Sequence, residues 1–237
     1  MKKKILIICI ISILLVNTFA YTQNANDYEF SIVDNIEDMP KCIVIDRFIG
    51  QSVGTRITVP SSINGIPVVA IGEGAFADLL VYEIVFTEGL LYIFDVAFAY
   101  CTNLNKITFP KSLEIIGQSA FMACMNLREI NIPDGSNLTE IHPGAFSGCV
   151  YLENIILPNN LNYLGMGAFL GCTNLRNIRL PDGLTEISER VFEYCENLRN
   201  ITIPSGLQKI GRGAFRYTAL NPQLRALMES KFGVEIW

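Results

Sequence analysis

Apolar residues recur along this chain in a long block, not in a simple helical or strand period. Ala-Phe or Val-Phe places a phenylalanine at Phe76, Phe98, Phe121, Phe146, Phe169, Phe192 and Phe215, at intervals of 22, 23, 25, 23, 23 and 23 residues. Seven of the fourteen phenylalanines therefore share one register, and a fixed period of this size signals stacked repeats. Three positions after the ring comes Cys101, Cys124, Cys149, Cys172 or Cys195, and three later Leu104, Leu127, Leu152, Leu175 or Leu198. An Ile-x-apolar-Pro run follows, from Ile107 to Pro110, Ile130 to Pro133, Ile155 to Pro158, Ile178 to Pro181 and Ile201 to Pro204. An earlier copy runs from Ile57 to Pro60, and a degenerate one, Ile84 to Thr87, lacks the proline. A second apolar pair precedes each ring, as in Leu113/Ile116, Leu161/Leu164, Leu184/Ile187 and Leu207/Ile210.

Each block reads as one turn of a coil. Leu-x-x-Ile-x-apolar is a short strand whose Ile and next apolar residue face inward at period two. Proline stops it, and Asp134-Gly135, Asp182-Gly183 or Ser205-Gly206 supplies turn chemistry. The second apolar pair starts a returning segment, and Gly-x-x-Ala-Phe bends tightly to drop the ring into the core. One coil cannot bury its apolar face alone, whereas stacking seven gives a continuous core. At ~4.8 Å per strand, seven coils extend roughly 30–35 Å. The coil before Phe146 carries two extra residues around Gly135 to Asn137, read as a bulged turn, and His142 stands where glycine is usual.

The repeat unit resembles the BspA-type (Treponema pallidum type) leucine-rich repeats of bacterial surface proteins. Leu175, Ile178, Leu180, Pro181, Leu184, Ile187, Val191, Phe192 and Cys195 follow that pattern in order, with Ser188 in place of its glycine and Val191 in place of its alanine. The resemblance covers about Ile57 to Leu220 and implies an α/β-type repeat solenoid, a right-handed coil of about seven units of 22–25 residues with short parallel strands.

Both open ends of a solenoid need covers, because each exposes apolar rings and unpaired strand edges. Tyr28, Phe30 and Ile32 alternate with polar partners and Cys42 to Ile45 is a second β-like run, so residues 21–54 read as a capping β-hairpin. After the solenoid of 55–219, residues 220–237 read as a helical cap. Asn221 is its N-cap, Pro222 its first residue, Leu224, Leu227 and Met228 its apolar face and Gly233 its stop, with Trp237 beyond. Neither cap looks like a separate domain, so 21–237 is one structural unit.

Residues 1–20 read as a secretory signal peptide. Lys2, Lys3 and Lys4 precede a 12-residue apolar run from Ile5 to Val16, and Thr18 and Ala20 stand at −3 and −1 of a cleavage point. An uncleaved anchor is the alternative, but the run is well short of the ~20 residues a spanning helix needs. No other stretch would span a membrane, so an exported protein is expected, at the cell surface, secreted or periplasmic. Cleavage leaves 15 basic residues (18 − 3) against 23 acidic ones, a net charge of −8. That balance argues against a basic footprint for nucleic acid. With half of the 237 residues apolar, disorder is excluded too.

Chemistry-bearing residues are few. Six cysteines remain after cleavage, five at one repeat position. Their parallel Cβ directions are wrong for bridging, so buried free thiols are expected. No Cys-x-x-Cys occurs and the single His142 clusters with none of them, so neither metal nor cofactor is expected. His142 has no nucleophile at a motif spacing, and an enzyme is not expected. Gly72-Glu73-Gly74 lacks a phosphate-loop lysine.

The informative surface is the outward strand face. Its first column reads Tyr82, Asn105, Arg128, Glu153, Arg176, Arg199; its second Glu83, Lys106, Glu129, Asn154, Asn177, Asn200; its third Thr58, Val85, Thr108, Asn131, Ile156, Arg179, Thr202. Inward positions are nearly fixed while these vary, which suits a rigid sheet reading an extended partner. Tyr82, Arg128, Ile156, Arg176, Arg179 and Arg199 are the candidate partner-binding residues. The alternative is an ordinary solvated face with Arg128, Glu153 and Arg176 pairing laterally, each pair worth at most ~1 kcal/mol. The resemblance implies adhesion through a protein ligand, such as a host extracellular-matrix or plasma protein or a neighbouring cell. A monomer is expected. A self-associating envelope component is the other reading, which light scattering separates.

Overall fold

The computed structural model describes residues 26–34, 41–50, 52–53 and 56–237; the segment read as a signal peptide lies outside the described residues. The repeat builds a solenoid with two strand ladders and a turn edge. The Ile-x-apolar runs form the front ladder. Arg56–Val59, Glu83–Phe86, Lys106–Thr108 and Glu129–Asn131 pair in parallel, and Asn154–Ile156, Asn177–Arg179 and Asn200–Thr202 form a second parallel set. Inward isoleucines stand in register, Ile84 beside Ile107 and Ile178 beside Ile201. The ladder is interrupted after the 25-residue coil. There Ile130 and Ile132 are only half-buried, and the inserted turn buries Ser136, whose carbonyl accepts from Asn160 Nδ2 at 2.8 Å.

The returning segments form a ladder of their own. Ile66–Ile71, Tyr92–Ile93, Ile115–Ile116, Glu140–Ile141 and Tyr163–Leu164 pair in parallel, then Glu186–Ile187 and Lys209–Ile210. This back ladder is interrupted at Ser188, whose hydroxyl donates to the Leu164 carbonyl at 2.7 Å. The column holding Ser188 alternates strictly: Gly72, Phe94, Gly117, His142, Gly165, Ser188, Gly211. The glycines are there for close approach. A Cβ on Gly117 would lie 2.7 Å from the Phe94 carbonyl carbon, and one on Gly165 or Gly211 would likewise strike the backbone of the coil before. The left-handed residues of the bend are instead those two before and two after each ring, including Val96 at φ 51° and Tyr100 at φ 62°.

The turn edge has no interruption. Phe98, Phe121, Phe146, Phe169 and Phe192 each donate their N–H to a carbonyl of the next coil, at 2.7–3.0 Å. Their rings are fully buried and stack with centroids 4.7–5.8 Å apart from Phe76 to Phe215. Burying such a side chain is worth about 1.5–3 kcal/mol, and each aromatic pair adds about 0.5–1.5 kcal/mol. Beside the rings, Cys101, Cys124, Cys149, Cys172 and Cys195 each donate Sγ–H to a phenylalanine carbonyl one coil back, at 3.0–3.3 Å. The cysteines are thus more than small apolar fillers. All six described thiols are free and buried. Burial pushes those of Cys124, Cys149, Cys172 and Cys195 upward in pKa, Cys172 to about 12.

Both caps continue this edge. Strands β1 (Tyr28–Val33) and β2 (Cys42–Phe48) form the antiparallel hairpin, and β2 pairs in parallel with Ile66–Ile71. Phe48 donates to the Ala75 carbonyl at 2.8 Å, stacks on Phe76 at 5.3 Å and takes Tyr28 edge-on at 5.4 Å. At the other end helix α1 (Pro222–Phe232) is capped by Asn221, whose Oδ1 accepts from Leu224 N at 2.8 Å, and stopped by Gly233. Met228 faces the core, but Leu227 is 64% exposed and does not. The tail after α1 completes the cover: the Ile236 carbonyl accepts from Phe215 N at 2.9 Å, and the Trp237 ring lies 6.1 Å from that of Phe215.

Candidate binding surface

Because inward isoleucines anchor each front strand, the residues between them must point outward. The first half of this face pairs charge across coils in one column. Arg56 Nε lies 3.4 Å from Glu83 Oε2, and Lys106 Nζ lies 2.7 Å from Glu129 Oε1. The hydrogen bond to Glu129 holds Lys106 above its usual pKa. Lateral pairing therefore exists, but in the second outward column. Arg128, Glu153 and Arg176 form no ion pair among the described residues; the Arg128 guanidinium sits over the Tyr151 ring at 4.6 Å.

The second half is built differently. Asn154, Asn177 and Asn200 form an amide ladder, with Asn177 Nδ2 donating to Asn154 Oδ1 at 3.1 Å and Asn200 Nδ2 to Asn177 Oδ1 at 2.8 Å. Arg176, Arg179 and Arg199 are exposed, and none forms an ion pair among the described residues. Arg176 and Arg199 are direct neighbours, since Arg199 N donates to the Arg176 carbonyl at 3.1 Å. Ile156 stands in register with Arg179 and is 77% exposed. Two adjoining hollows lie here. One of about 370 Å³ is lined by Arg176, Asn177, Asn197, Arg199 and Asn200. The other, about 470 Å³, runs past Ile156, Arg179 and Thr202 to Asn221 and Leu224 at the start of α1.

The six candidate residues thus fall into two groups. Ile156, Arg176, Arg179 and Arg199 gather around the hollows, while Tyr82 and Arg128 lie beyond the interruption of the ladder, in the column Tyr82, Asn105, Arg128. The asparagine ladder belongs to this surface too. Its signal in the sequence is the same residue type at three positions 23 residues apart.

Elsewhere, His142 Nε2 lies 2.9 Å from Glu140 Oε2 and its ring meets Tyr163 edge-on at 5.7 Å, an arrangement that fixes the turn. Among the described residues no cluster of three or more His, Cys, Asp or Glu could hold a metal ion, and no helix is long and apolar enough to cross a membrane.

The sequence matches the BspA type leucine rich repeat region in six copies, over residues 14–149, 69–173 and 135–223. Among solved structures, a leucine-rich repeat protein of T. pallidum is 29% identical with a TM-score of 0.80, covering 87% of this chain and 94% of that one. A leucine rich cell surface protein of Faecalibacterium prausnitzii is also 29% identical, with a TM-score of 0.71. That match covers 87% of this chain but 54% of the other, so the chain spans about half its length. A leucine-rich repeat protein from Bacteroides ovatus shares the fold at 24% identity and a TM-score of 0.62, covering 86% of this chain and 58% of that one. No curated protein matches.

Proposed function

The chain belongs to the BspA-type leucine-rich repeat family, and from that premise we propose that it is an exported, non-enzymatic binding protein whose front strand face recognises a protein on a host or neighbouring cell. The observation that carries this is the contrast within each front strand. Ile155, Ile178 and Ile201 are buried and alike, while the outward residues that follow them, Ile156, Arg179 and Thr202, are exposed and unlike. A backbone held by stacked coils loses little conformational freedom when a partner docks, so the ordering cost falls on the side chains alone. Surface location is part of the proposal, supported by the basic and apolar opening of the sequence and by the surface origin of the F. prausnitzii protein.

The test is saturable binding of the purified chain to a panel of extracellular-matrix and plasma proteins, with protease shaving of intact cells alongside. We expect at least one saturable ligand, lost when Tyr82, Ile156, Arg176 and Arg199 are changed to alanine, and a chain cut by external protease. No saturable ligand for the native chain, or complete protection in intact cells, overturns the proposal. Concentration-dependent self-association by light scattering in place of ligand binding would favour an assembly component.

A further inference from the structure

The two halves of the front face differ in how many of their basic residues have a carboxylate: in the first only Arg128 lacks one among the described residues. In the first, each basic residue of the second column has its carboxylate, Arg56 with Glu83 and Lys106 with Glu129. In the second, the outward positions of three successive strands hold Arg176, Arg179 and Arg199 against the single Glu153, and amides replace the charged pairs. Adjacent arginines on neighbouring strands repel, and like charges set directly opposite are destabilising. No ion pair among the described residues offsets this placement, on a chain that is acidic overall.

We infer that the hollows beside Arg176, Arg179 and Arg199 take an extended acidic segment of a protein partner. This rests on the front-face reading above and names the chemistry of the partner. Arginine presents a planar fork that matches a carboxylate bidentately. Neighbouring coils set Arg176 and Arg199 ~4.8 Å apart at the backbone, and an extended peptide repeats its same-face side chains every ~6.8 Å, within reach of flexible guanidinium groups. Carboxylates two residues apart can therefore meet both arginines while the segment lies along the solenoid axis. Ile156, 77% exposed at the hollow's edge, offers apolar contact that suits a peptide better than a sulfated sugar. The start of α1 adds to the positive field: Asn221 and Leu224 line the same hollow, and the first turn of the helix has no acidic residue.

The probe is a labelled, blocked hexapeptide alternating glutamate and valine, followed by fluorescence anisotropy with the full exported chain. Its glutamine counterpart and a heparin-derived oligosaccharide are run beside it. Saturable binding of the glutamate peptide is expected. It should weaken tenfold or more with Arg176→Gln plus Arg199→Gln and with the glutamine peptide, fall as salt is raised from about 50 to about 200 mM, and hold with Arg56→Gln. The double variant should melt no lower than the native chain. Equal peptide binding by the double variant, a lowered melting temperature accompanying lost binding, or binding of the oligosaccharide alone each overturns the inference. A matrix or plasma protein that binds the double variant as tightly as the native chain, yet is lost with Tyr82→Ala plus Ile156→Ala, overturns the acidic segment and leaves the front-face reading standing. Loss by neither pair removes both.

Discussion

The turn edge and the front ladder are built from the same seven repeats, yet one is continuous from Phe48 to Trp237 and the other is cut in two. The edge tolerates a coil of 25 residues because its rings and hydrogen bonds sit far from the insertion: Phe121 still donates to Ala145 at 2.8 Å and stacks on Phe146 at 5.3 Å. The front ladder takes the extra length, and there Ile130 loses full burial. Order along the solenoid is thus held on one side, which leaves the other free to vary in charge and shape.

The largest way to break this contrast is alkaline pH. Cys124, Cys149, Cys172 and Cys195 line the turn edge, and burial raises their pKa above the ordinary thiol value of 9.0. A raised folded pKa means the stabilisation is fully present below pH 9.0 and lost as pH climbs toward the folded value, about 12 for Cys172. Cys172 alone costs about 1.4 kcal/mol per pH unit in that window, and the other three thiols act in the same direction. Urea titrations under reductant should show this slope above pH 9.0 and little slope between neutrality and 9.0. Cys172→Ala should make the slope shallower.

Next comes Phe146→Ala, which opens the stack in its middle and should cost about 3–5 kcal/mol in chemical denaturation. Ile130→Ala, at the interrupted ladder, should cost only about 1 kcal/mol because the side chain is half-buried. Equal losses would show that the front ladder holds the fold as firmly as the edge. Gly165→Ala sharpens the picture further: its Cβ meets the Pro143 backbone, and about 1–3 kcal/mol should be lost. Gly183→Ala, with 3.6 Å to the Asn159 carbonyl oxygen, should be nearly neutral by the same measurement. One effect is a gain. Val96→Gly releases a β-branched residue from φ 51° and should stabilise by about 1 kcal/mol, read as a rise in melting temperature.

Most of the fold is legible in the sequence because a ring that must be buried in every coil cannot change. Phe48 escapes that reading: it lies 28 residues before Phe76, outside the 22–25 period, and joins the stack only because the hairpin carries it there. The back ladder is illegible for another reason. Pairs such as Tyr163–Leu164 are too short to show an alternation, and only stacking makes them strands. At the binding surface the outward columns can be read from spacing, but which column forms ion pairs depends on side-chain direction: Lys106 reaches Glu129, whereas Arg128 turns to Tyr151. Partner identity is the least legible, since outward residues answer to a molecule outside the chain.

The alternation of Gly72, Phe94, Gly117, His142, Gly165, Ser188 and Gly211 gives the protein a parity rule. Excising the single winding that contains Gly165 would set Ser188 against the His142-Pro143 backbone, where only a hydrogen fits now. Excising two consecutive windings would restore the order of small and large. Length in such a molecule changes cleanly in even steps, so its true building block is a double turn rather than the single repeat its spelling suggests.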